Sequence, residues 1–199
     1  MKKLHVIVVA YKRAIPLRLL IDSFVLQTDP HWFMTIIHDG PAPDDVRKVV
    51  DSYISAGVPN ICYRETTGVN GCYGHINRKM MLEAADPANG EFLLFTNDDN
   101  YYVIRVVEYM LAAANKKNVG IVYCDMVHSH IAHDVLKAKL KVNHIDIGAF
   151  IVDINLAQSV GFNHFTYAGD GLFAEELAAR AKKLRLRKIY IPKPLFCHN

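Results

Sequence analysis

Short apolar segments alternate with amphipathic segments along most of this chain of 199 residues. The apolar segments are rich in β-branched residues, which is typical of strands covered on both faces of a sheet. The amphipathic segments place apolar residues at helical spacing, and in the first of them these are Leu17, Leu20, Ile21 and Phe24. Alternating strands and helices predict an α/β fold with a mostly parallel sheet and helices on both faces.

The predicted elements cover nearly the whole chain. The predicted strands are residues 4–10, 33–38, 60–64, 91–96, 119–127, 146–153 and, as an edge strand, 184–191. The predicted helices begin near Pro16, Asp44 and His75, and two more cover residues 103–114 and 171–184. Residues 126–145 are polar and poorly periodic, which indicates a loop with one short helix. Because there is no internal repeat and no linker, residues 1–199 are expected to form a single domain.

Composition excludes several classes of protein. The chain is 51% apolar and 22% charged, as ordinary globular domains are, and its net charge of +3 does not indicate nucleic-acid binding. The four cysteines form no CxxC pair, so neither a zinc knuckle nor a disulfide framework is predicted. No segment has the length needed to span a bilayer. A cytoplasmic protein is expected, and the basic run at residues 180–188 offers peripheral membrane contact as an alternative.

Polar residues directly follow three of the predicted strands. Tyr11 follows the first strand, Asp39 follows the second, and Asn97, Asp98 and Asp99 follow the fourth. Ligands of open parallel α/β sheets bind beyond the carboxyl ends of the strands. We therefore expect these three clusters to face one crevice.

The adjacent acids Asp98 and Asp99 support two interpretations. Carboxylate oxygens are preferred ligands of Mg²⁺ or Mn²⁺, and such ions commonly bridge a protein to the phosphates of a ligand. Alternatively, Asn97 or Asp98 caps a helix that begins near Tyr102, where the helix dipole stabilises acids. The two interpretations are compatible.

Other residues of the first half are open to two interpretations as well. Asp39 either forms a turn or accepts a hydrogen bond from a nucleobase. Tyr11 either packs in the core or offers its ring as a stacking surface for a base. The stretch that contains Gly68 lacks the Lys-Ser/Thr of a P-loop but suits a loop that passes close to a ligand. Arg78, in the next helix, either reaches a phosphate or is solvated.

The second half contains a histidine cluster. His128, His130 and His133 have the histidine spacing of a zinc site of the HxHxDH type, although Ala132 stands where that motif has Asp. A histidine-rich surface loop is the alternative.

Two further candidates lie near the end of the chain. Asp170 lies between two glycines before a predicted helix, where it is either an N-cap or a general base for a substrate hydroxyl. His198 gains a role only if the last strand returns to the crevice, where its imidazole would complete the coordination of a metal.

The order of these motifs resembles the family 2 glycosyltransferases of the GT-A fold. The matching stretches are VIVVAYKR, IIHDG, GEFLLFTNDDN, DIGAFIVD with VGF, GDGLF and a late histidine. The resemblance implies a nucleotide-diphospho-sugar donor, foremost a UDP-sugar, with a Mn²⁺ or Mg²⁺ ion and transfer with inversion to a carbohydrate or lipid-linked acceptor. Residues 1–100 would form the nucleotide-binding half, and residues 101–199 the acceptor and catalytic half.

The resemblance also implies a role for each candidate residue. Asp170 would be the catalytic base, and Asp99 and His198 would bind the metal. The residues that would bind the nucleotide-sugar are Ala10, Tyr11, Asp39, Gly68, Arg78, Asn97 and Asp98. Two positions depart from the family pattern: Asn97 replaces the first Asp of the metal-binding motif, and Gly169 replaces an acidic residue that often precedes the base.

Two alternative functions remain open from the sequence. A zinc hydrolase would use His128, His130 and His133, and stoichiometric zinc in the purified protein would distinguish it. A non-catalytic module would bind a nucleotide-sugar without turnover.

Overall fold

The computed structural model describes residues 2–199, in which nine strands form one mixed sheet that helices cover. The strands are β1 Leu4–Ala10, β2 Trp32–His38, β3 Ile61–Glu65, β4 Phe92–Asn97, β5 Tyr101–Tyr102, β6 Val119–His128, β7 Asp134–Leu136, β8 Phe150–Asp153 and β9 Arg187–His198. The helices are α1 Ala14–Val25, α2 Asp44–Ser55, α3 His75–Glu83, α4 Val106–Ala114, α5 Ile154–Val160 and α6 Gly169–Lys183. Short 3₁₀ helices cover Cys72–Gly74, Ser129–Ile131 and Ile147–Ala149. The predicted α/β fold class is confirmed.

The first half of the sheet is parallel, with the strand order β3-β2-β1-β4. Leu4 of β1 is level with Trp32 of β2 and with Phe92 of β4. Every residue of β1 is buried, which accounts for its continuous apolar run. Helix α1 buries the predicted apolar stripe, which consists of Leu17, Leu20, Ile21 and Phe24.

The second half of the sheet is mixed. Strand β8 runs antiparallel to both β4 and β6, and β9 runs parallel to β6. Because two reversals restore the original direction, β6 and β9 end at the same edge of the sheet as β1, β2 and β4. Strand β8 begins at that edge. The residues that precede β8 therefore meet those at the ends of β4, β6 and β9.

The last strand is longer than the edge strand predicted at residues 184–191. It continues to His198, and β5 pairs with it only at Phe196 and Cys197. Among the described residues, no strand pairs with the outer side of residues 187–194, so the predicted edge character holds there. The extension returns His198 to the polar edge of the sheet.

Three local predictions were wrong or incomplete. Strand β6 continues to His128 and forms a hairpin with β7, where a loop with a short helix is predicted. The helix expected near Tyr102 begins at Val106, because residues 101–102 pair with β9 as β5. Helix α5 is absent from the prediction; it follows β8 directly, and Asp153 accepts a hydrogen bond of 3.0 Å from the backbone N–H of Leu156.

The apolar core fills the space between the sheet and its helices. Phe24, Phe92, Phe95 and Phe173 are buried in it. The polar edge is therefore held by a close-packed apolar scaffold, which fixes the positions of the side chains at the strand ends.

Within residues 2–199, no helix combines the length and apolar character that crossing a bilayer requires.

Candidate active site

A pocket of ≈ 420 Å³ lies at the sheet edge where β4, β6 and β9 end. Its charged and polar lining comes from well-separated parts of the chain and includes Arg78, Asn97, His128, Asp146, Asp170 and His198. Of these, Arg78, Asn97, Asp170 and His198 are predicted site residues. The fold brings these four residues together although they span more than half of the sequence.

Asp170 lies in the first turn of α6 and borders the pocket. It is not the N-cap, because Ala168 occupies that position. Its Oδ1 atom is buried and has no hydrogen-bond partner among residues 2–199. The nearest cationic or basic atoms are His75 Nδ1 at 3.7 Å and Arg78 Nη1 at 4.0 Å. The carboxylate thus retains an unused acceptor atom beside a positive charge.

Arg78 is buried, so the interpretation as a solvated side chain was wrong. Its Nη1 atom donates to the backbone carbonyl of Tyr73 at 2.9 Å and to His75 Nδ1 at 2.8 Å. Its Nη2 atom donates to Oδ1 of Asn97. The guanidinium therefore joins α3 to the end of β4 and places a compensating charge beside Asp170.

His75 is the neutral partner in this network. Burial is the main cause that lowers its pKa, and the neighbouring Arg78 lowers the pKa further. Its Nε2 atom lies 2.9 Å from the carbonyl oxygen of Thr166. Since Nδ1 accepts from Arg78, the ring carries its proton on Nε2 and donates it to Thr166.

Asp39 is engaged by the glycine-rich loop that follows β3. Its Oδ1 atom accepts hydrogen bonds from the backbone N–H of Asn70 at 2.8 Å and from Asn77 Nδ2 at 3.0 Å. Its Oδ2 atom accepts from the backbone N–H of Gly71 at 2.9 Å. The Asp39 carboxylate is buried and positions this loop. Contact with a nucleobase remains a prediction.

Tyr11 and Ala10 lie at the end of β1. Tyr11 is 42% exposed, so its interpretation as a core residue was wrong. Its ring lies against that of His38 at a centroid distance of 6.0 Å, and Nζ of Lys12 lies over the ring at 4.9 Å, so stacking on a base remains a prediction. Ala10 is buried beneath it. Gly68 lines a separate hollow of ≈ 520 Å³, so the structure does not bring Gly68 into the pocket of Asp170.

Asp98 and Asp99 are bridged by the guanidinium of Arg13. Asp98 is fully buried and also accepts a hydrogen bond of 2.8 Å from the backbone N–H of Tyr11. Burial raises the pKa of Asp98 to about 6, although the charge of Arg13 opposes the shift. Neither Asn97 nor Asp98 caps a helix, because α4 begins at Val106, so that interpretation was wrong. Asp99 is the more accessible acid of the pair.

Three residues at the pocket could hold a metal ion. His128, Asp146 and His198 each offer a ligand atom, and these atoms lie within 4.8 Å of one another. The two imidazole rings stack at 4.2 Å because β6 and β9 pair residue 128 with residue 198. Nε2 of His198 lies 3.8 Å from Oδ2 of Asp146. His198 is thus returned to the crevice, as its predicted role requires.

The two imidazoles differ in the atom that they offer. Nδ1 of His128 accepts the backbone N–H of His130 at 3.2 Å, so neutral His128 carries its proton on Nε2. Nδ1 of His198 lies 2.9 Å from Ser129 Oγ, which can accept a hydrogen bond from the Nδ1–H and leave Nε2 free to bind a metal. Burial is the main cause that lowers the pKa of both rings. His198 is therefore the better ligand of the two without any rearrangement.

Asp146 is a candidate residue that the sequence analysis missed. It is buried and accepts a hydrogen bond of 2.8 Å from the backbone N–H of Gly148. Burial raises its pKa, and the negative charge of Asp170 raises it further. Candidates stand out in the sequence at the carboxyl ends of predicted parallel strands, at a helix start and in the histidine cluster, whereas Asp146 precedes an antiparallel strand. An acid directly before an apolar strand was the available signal.

The three histidines with zinc-like spacing do not form the predicted cluster. The rings of His128 and His130 lie 5.0 Å apart and both line the pocket. His133 lies on the exposed turn between β6 and β7 with a backbone φ of 62°. Among the described residues, the metal-competent group containing His128 includes Asp146 and His198 instead.

Gly169, which departs from the family pattern, has no room for a side chain. An added Cβ would lie 2.6 Å from the carbonyl oxygen of His164 and 2.8 Å from Nε2 of His75. We expect Gly169→Ala to lower the free energy of unfolding by about 1–3 kcal/mol, because the contact overpacks the core beside the site. Urea unfolding would measure the loss. Gly68→Ala is the control, since its Cβ meets no atom within 4 Å, and an equal loss in both variants would contradict the explanation.

The sequence matches the family described as glycosyl transferase family 2 over residues 5–169. None of the curated proteins matches the sequence. Many solved structures are similar in fold, and two examples from Staphylococcus aureus are TarS 1–349 and its complex with UDP-GlcNAc. The first is 17% identical with a TM-score of 0.77, and the chain covers 60% of it with 99% of its own length. The second is 18% identical with a TM-score of 0.79, and the chain covers 58% of it with 98% of its own length.

A third similar structure is the mannosyltransferase PcManGT of Pyrobaculum calidifontis in complex with GDP-Man and Mn²⁺. It is 16% identical with a TM-score of 0.74, and the chain covers 56% of it with 99% of its own length. The chain thus spans about three fifths of these relatives, which share its fold.

Proposed function

Because the chain belongs to glycosyl transferase family 2, we propose that it moves a sugar from a nucleotide-diphosphate donor to a hydroxyl acceptor, with inversion at the anomeric carbon. The observation that carries the proposal is the carboxylate of Asp170. It borders the pocket with about 20% of its side chain exposed, whereas its Oδ1 atom is buried without a hydrogen-bond partner among residues 2–199. The exposed part of the carboxylate can take a proton from an acceptor hydroxyl in the pocket.

The proposed reaction is a direct displacement. The acceptor oxygen bonds to the anomeric carbon while the bond from that carbon to the diphosphate breaks. The acceptor proton passes to Asp170, and the electron pair of the broken bond leaves with the nucleoside diphosphate. Attack from the face opposite the leaving group inverts the anomeric centre. Arg78 remains beside Asp170 and keeps the carboxylate paired with a positive charge before the transfer.

The proposed donor site lies along the ends of β1, β2 and β4. Tyr11 is partly exposed there, and Arg13 connects this position to Asp98 and Asp99. Asn97 follows at the entrance to the pocket of Asp170. Related structures of this fold hold UDP-GlcNAc or GDP-Man. We infer a nucleotide-diphospho-sugar donor, and a UDP-sugar is the first to test.

The ligand atoms at the pocket fit a divalent cation. The carboxylate of Asp146 and the imidazole of His198 lie 3.8 Å apart. Burial lowers the pKa of His198, and the negative charges of Asp99 and Asp170 raise it by a smaller amount, so both acids act on this imidazole. Carboxylates in excess of the nearby cationic groups favour a bound cation. Asp146 and His198 would hold it, Asp99 is the third ligand that the family resemblance implies, and imidazole ligation favours Mn²⁺ over Mg²⁺. Such an ion would stabilise the negative charge that develops on the diphosphate leaving group.

Thermal unfolding with and without Mn²⁺ tests donor and metal binding together. Ligands that bind only the folded state raise its apparent stability, so UDP-sugars should raise the Tm further when Mn²⁺ is present. His198→Gln and Asp99→Asn are each expected to weaken Mn²⁺ binding at least about tenfold. Isothermal titration with Mn²⁺ and UDP would measure this change.

Asp51→Asn is the matched control, because Asp51 is an exposed acid on α2 far from the pocket residues in sequence. Its Mn²⁺ affinity should equal that of the unaltered protein. No shift of the Tm with any member of a panel of nucleotide-sugars, with or without metal, would overturn the proposed function.

A further inference from the structure

A strained backbone segment lies at the rim of the pocket. Four consecutive residues, at positions 71–74, have positive φ angles of 65°, 50°, 57° and 78°. Cys72 and Tyr73 are not glycines, and side chains disfavour this conformation. Such strain persists only where the surroundings over-determine it, and it clusters at functional sites.

Buried charged groups hold the strained segment at both ends. Asp39 accepts the backbone N–H groups of Asn70 and Gly71, at 2.8 and 2.9 Å. Arg78 donates to the carbonyl oxygen of Tyr73 at 2.9 Å. Both charged side chains are buried, and neither contact is needed to close the sheet. We therefore looked for the reason for this anchoring in the side chains that the segment exposes.

The segment presents the ring of Tyr73 at the pocket. Tyr73 is 64% exposed, and across the pocket mouth Tyr167 is 68% exposed. Their ring centroids lie 5.9 Å apart with the planes at 74°. The hydroxyl of Tyr167 lies 3.2 Å from Nδ1 of His130, which fixes the second ring. Two aromatic rings in contact with each other are thus exposed at the pocket that contains Asp170, where a ligand in the pocket can pack against them.

The chemistry around the two rings favours one class of ligand. A pyranose ring has a face of C–H groups that suits the negative face of an aromatic ring, and its hydroxyls suit the carboxylates and imidazoles below. A phosphate-bearing polyol is disfavoured, because the only Arg or Lys among the residues that line the pocket is Arg78, which is already engaged. The lining also contains aliphatic side chains such as Leu136 and Ile145, but an acyl chain would cover the carboxylates and imidazoles beside them without offering hydrogen bonds, which disfavours it.

We propose that Tyr73 and Tyr167 form the acceptor subsite, and that the acceptor is a carbohydrate whose pyranose ring packs against them with one hydroxyl directed at Asp170. This inference rests on the proposed function, because a bound carbohydrate is an acceptor only if the protein transfers a sugar to it. Its test does not depend on that reaction, because sugar binding is measurable without a donor.

The experiment measures binding of a panel of methyl pyranosides and short oligosaccharides by ligand-observed NMR. The probes include methyl glucoside, N-acetylglucosaminide, galactoside and mannoside, and glycerol phosphate as the alternative ligand. Tyr73→Asn removes one ring and keeps a residue that tolerates positive φ, so the segment should retain its conformation. We expect Tyr73→Asn and Tyr167→Ala each to raise the Kd of the bound pyranoside about tenfold. Tyr73→Phe, which keeps the ring, should bind nearly as the unaltered protein does.

Tyr190→Ala is the matched control. Tyr190 is 39% exposed and stacks on Tyr123, yet it does not line the pocket. Unchanged pyranoside affinity in this control, with weakened affinity in the Tyr73 and Tyr167 variants, would support the subsite. Equal affinity in all variants, binding of glycerol phosphate alone, or no pyranoside binding by the unaltered protein would overturn it. UDP-dependent thermal shifts of the same variants report separately on the proposed function.

Discussion

Asp170→Asn is expected to reduce sugar transfer by about 10²–10⁴-fold, the usual contribution of a general base. The amide keeps the shape of the carboxylate but cannot accept the proton of an attacking hydroxyl. Because the proposed donor site lies along β1, β2 and β4, the affinity for a UDP-sugar should change by less than about threefold. Single-turnover transfer at saturating donor would measure the chemical step, and thermal shift would measure binding.

The matched control for this variant is Asp134→Asn. Asp134 is an exposed acid of β7, on the hairpin beside the pocket, and its amide variant should transfer at the unaltered rate. Full activity of Asp170→Asn would remove Asp170 from the mechanism. Donor binding without any turnover by the unaltered protein would instead favour the non-catalytic nucleotide-sugar module.

The parallel half of the sheet could be predicted from the sequence because its signals are local. β1 and β4 are continuous apolar runs, and their lengths and ends are set by residues next to one another in the chain. The rule that ligands lie beyond parallel strand ends then pointed to the position of Asn97. For the same reason Asp170, at the start of a strongly helical segment, could be recognised as a candidate.

The antiparallel half could not be predicted in the same way. Periodicity predicts a strand at residues 146–153, of which only Phe150–Asp153 form one because Ile147–Ala149 form a 3₁₀ helix, and the direction in which a strand pairs depends on distant partners. Without that direction, Asp146 has no visible relation to His198, although they lie 3.8 Å apart. The position of His128 could not be predicted for the same reason, because its partner in the pocket is His198 of the last strand and not one of the nearby histidines.

The burial of Arg78 is a second example of a property that local sequence does not encode. Arginine is seldom buried, and its position on α3 is compatible with a solvated face. Burial becomes acceptable because the carbonyl of Tyr73, the imidazole of His75 and the amide of Asn97 accept hydrogen bonds from its two Nη atoms, which leaves only Nε without a partner among residues 2–199. Tertiary partners therefore decided between the two sequence interpretations.

These contacts make Arg78→Met the variant with the largest expected effect on stability. Removal of the guanidinium leaves Asn97 and the Tyr73 carbonyl without their donor and leaves Asp170 without its compensating charge. We expect the free energy of unfolding to fall by about 2–4 kcal/mol, because Asp170 is partly exposed and water offsets some of the loss. Urea unfolding would give the value, and for a chain of this size the Tm should fall by roughly 5–15 °C.

Lys79→Met is the matched control, since Lys79 is the next residue of α3 and has only weak contacts, a 4.0 Å ion pair with Glu83 and a cation–π contact of 5.9 Å with Phe165. Its stability should change by less than about 0.5 kcal/mol. Arg78→Met should also release the strained segment that presents Tyr73, so amide hydrogen exchange at residues 71–74 should accelerate while exchange in β1 follows global stability alone. If Arg78→Met and Lys79→Met were equally stable, or if the segment stayed protected, the guanidinium would not be what holds the rim of the pocket in place.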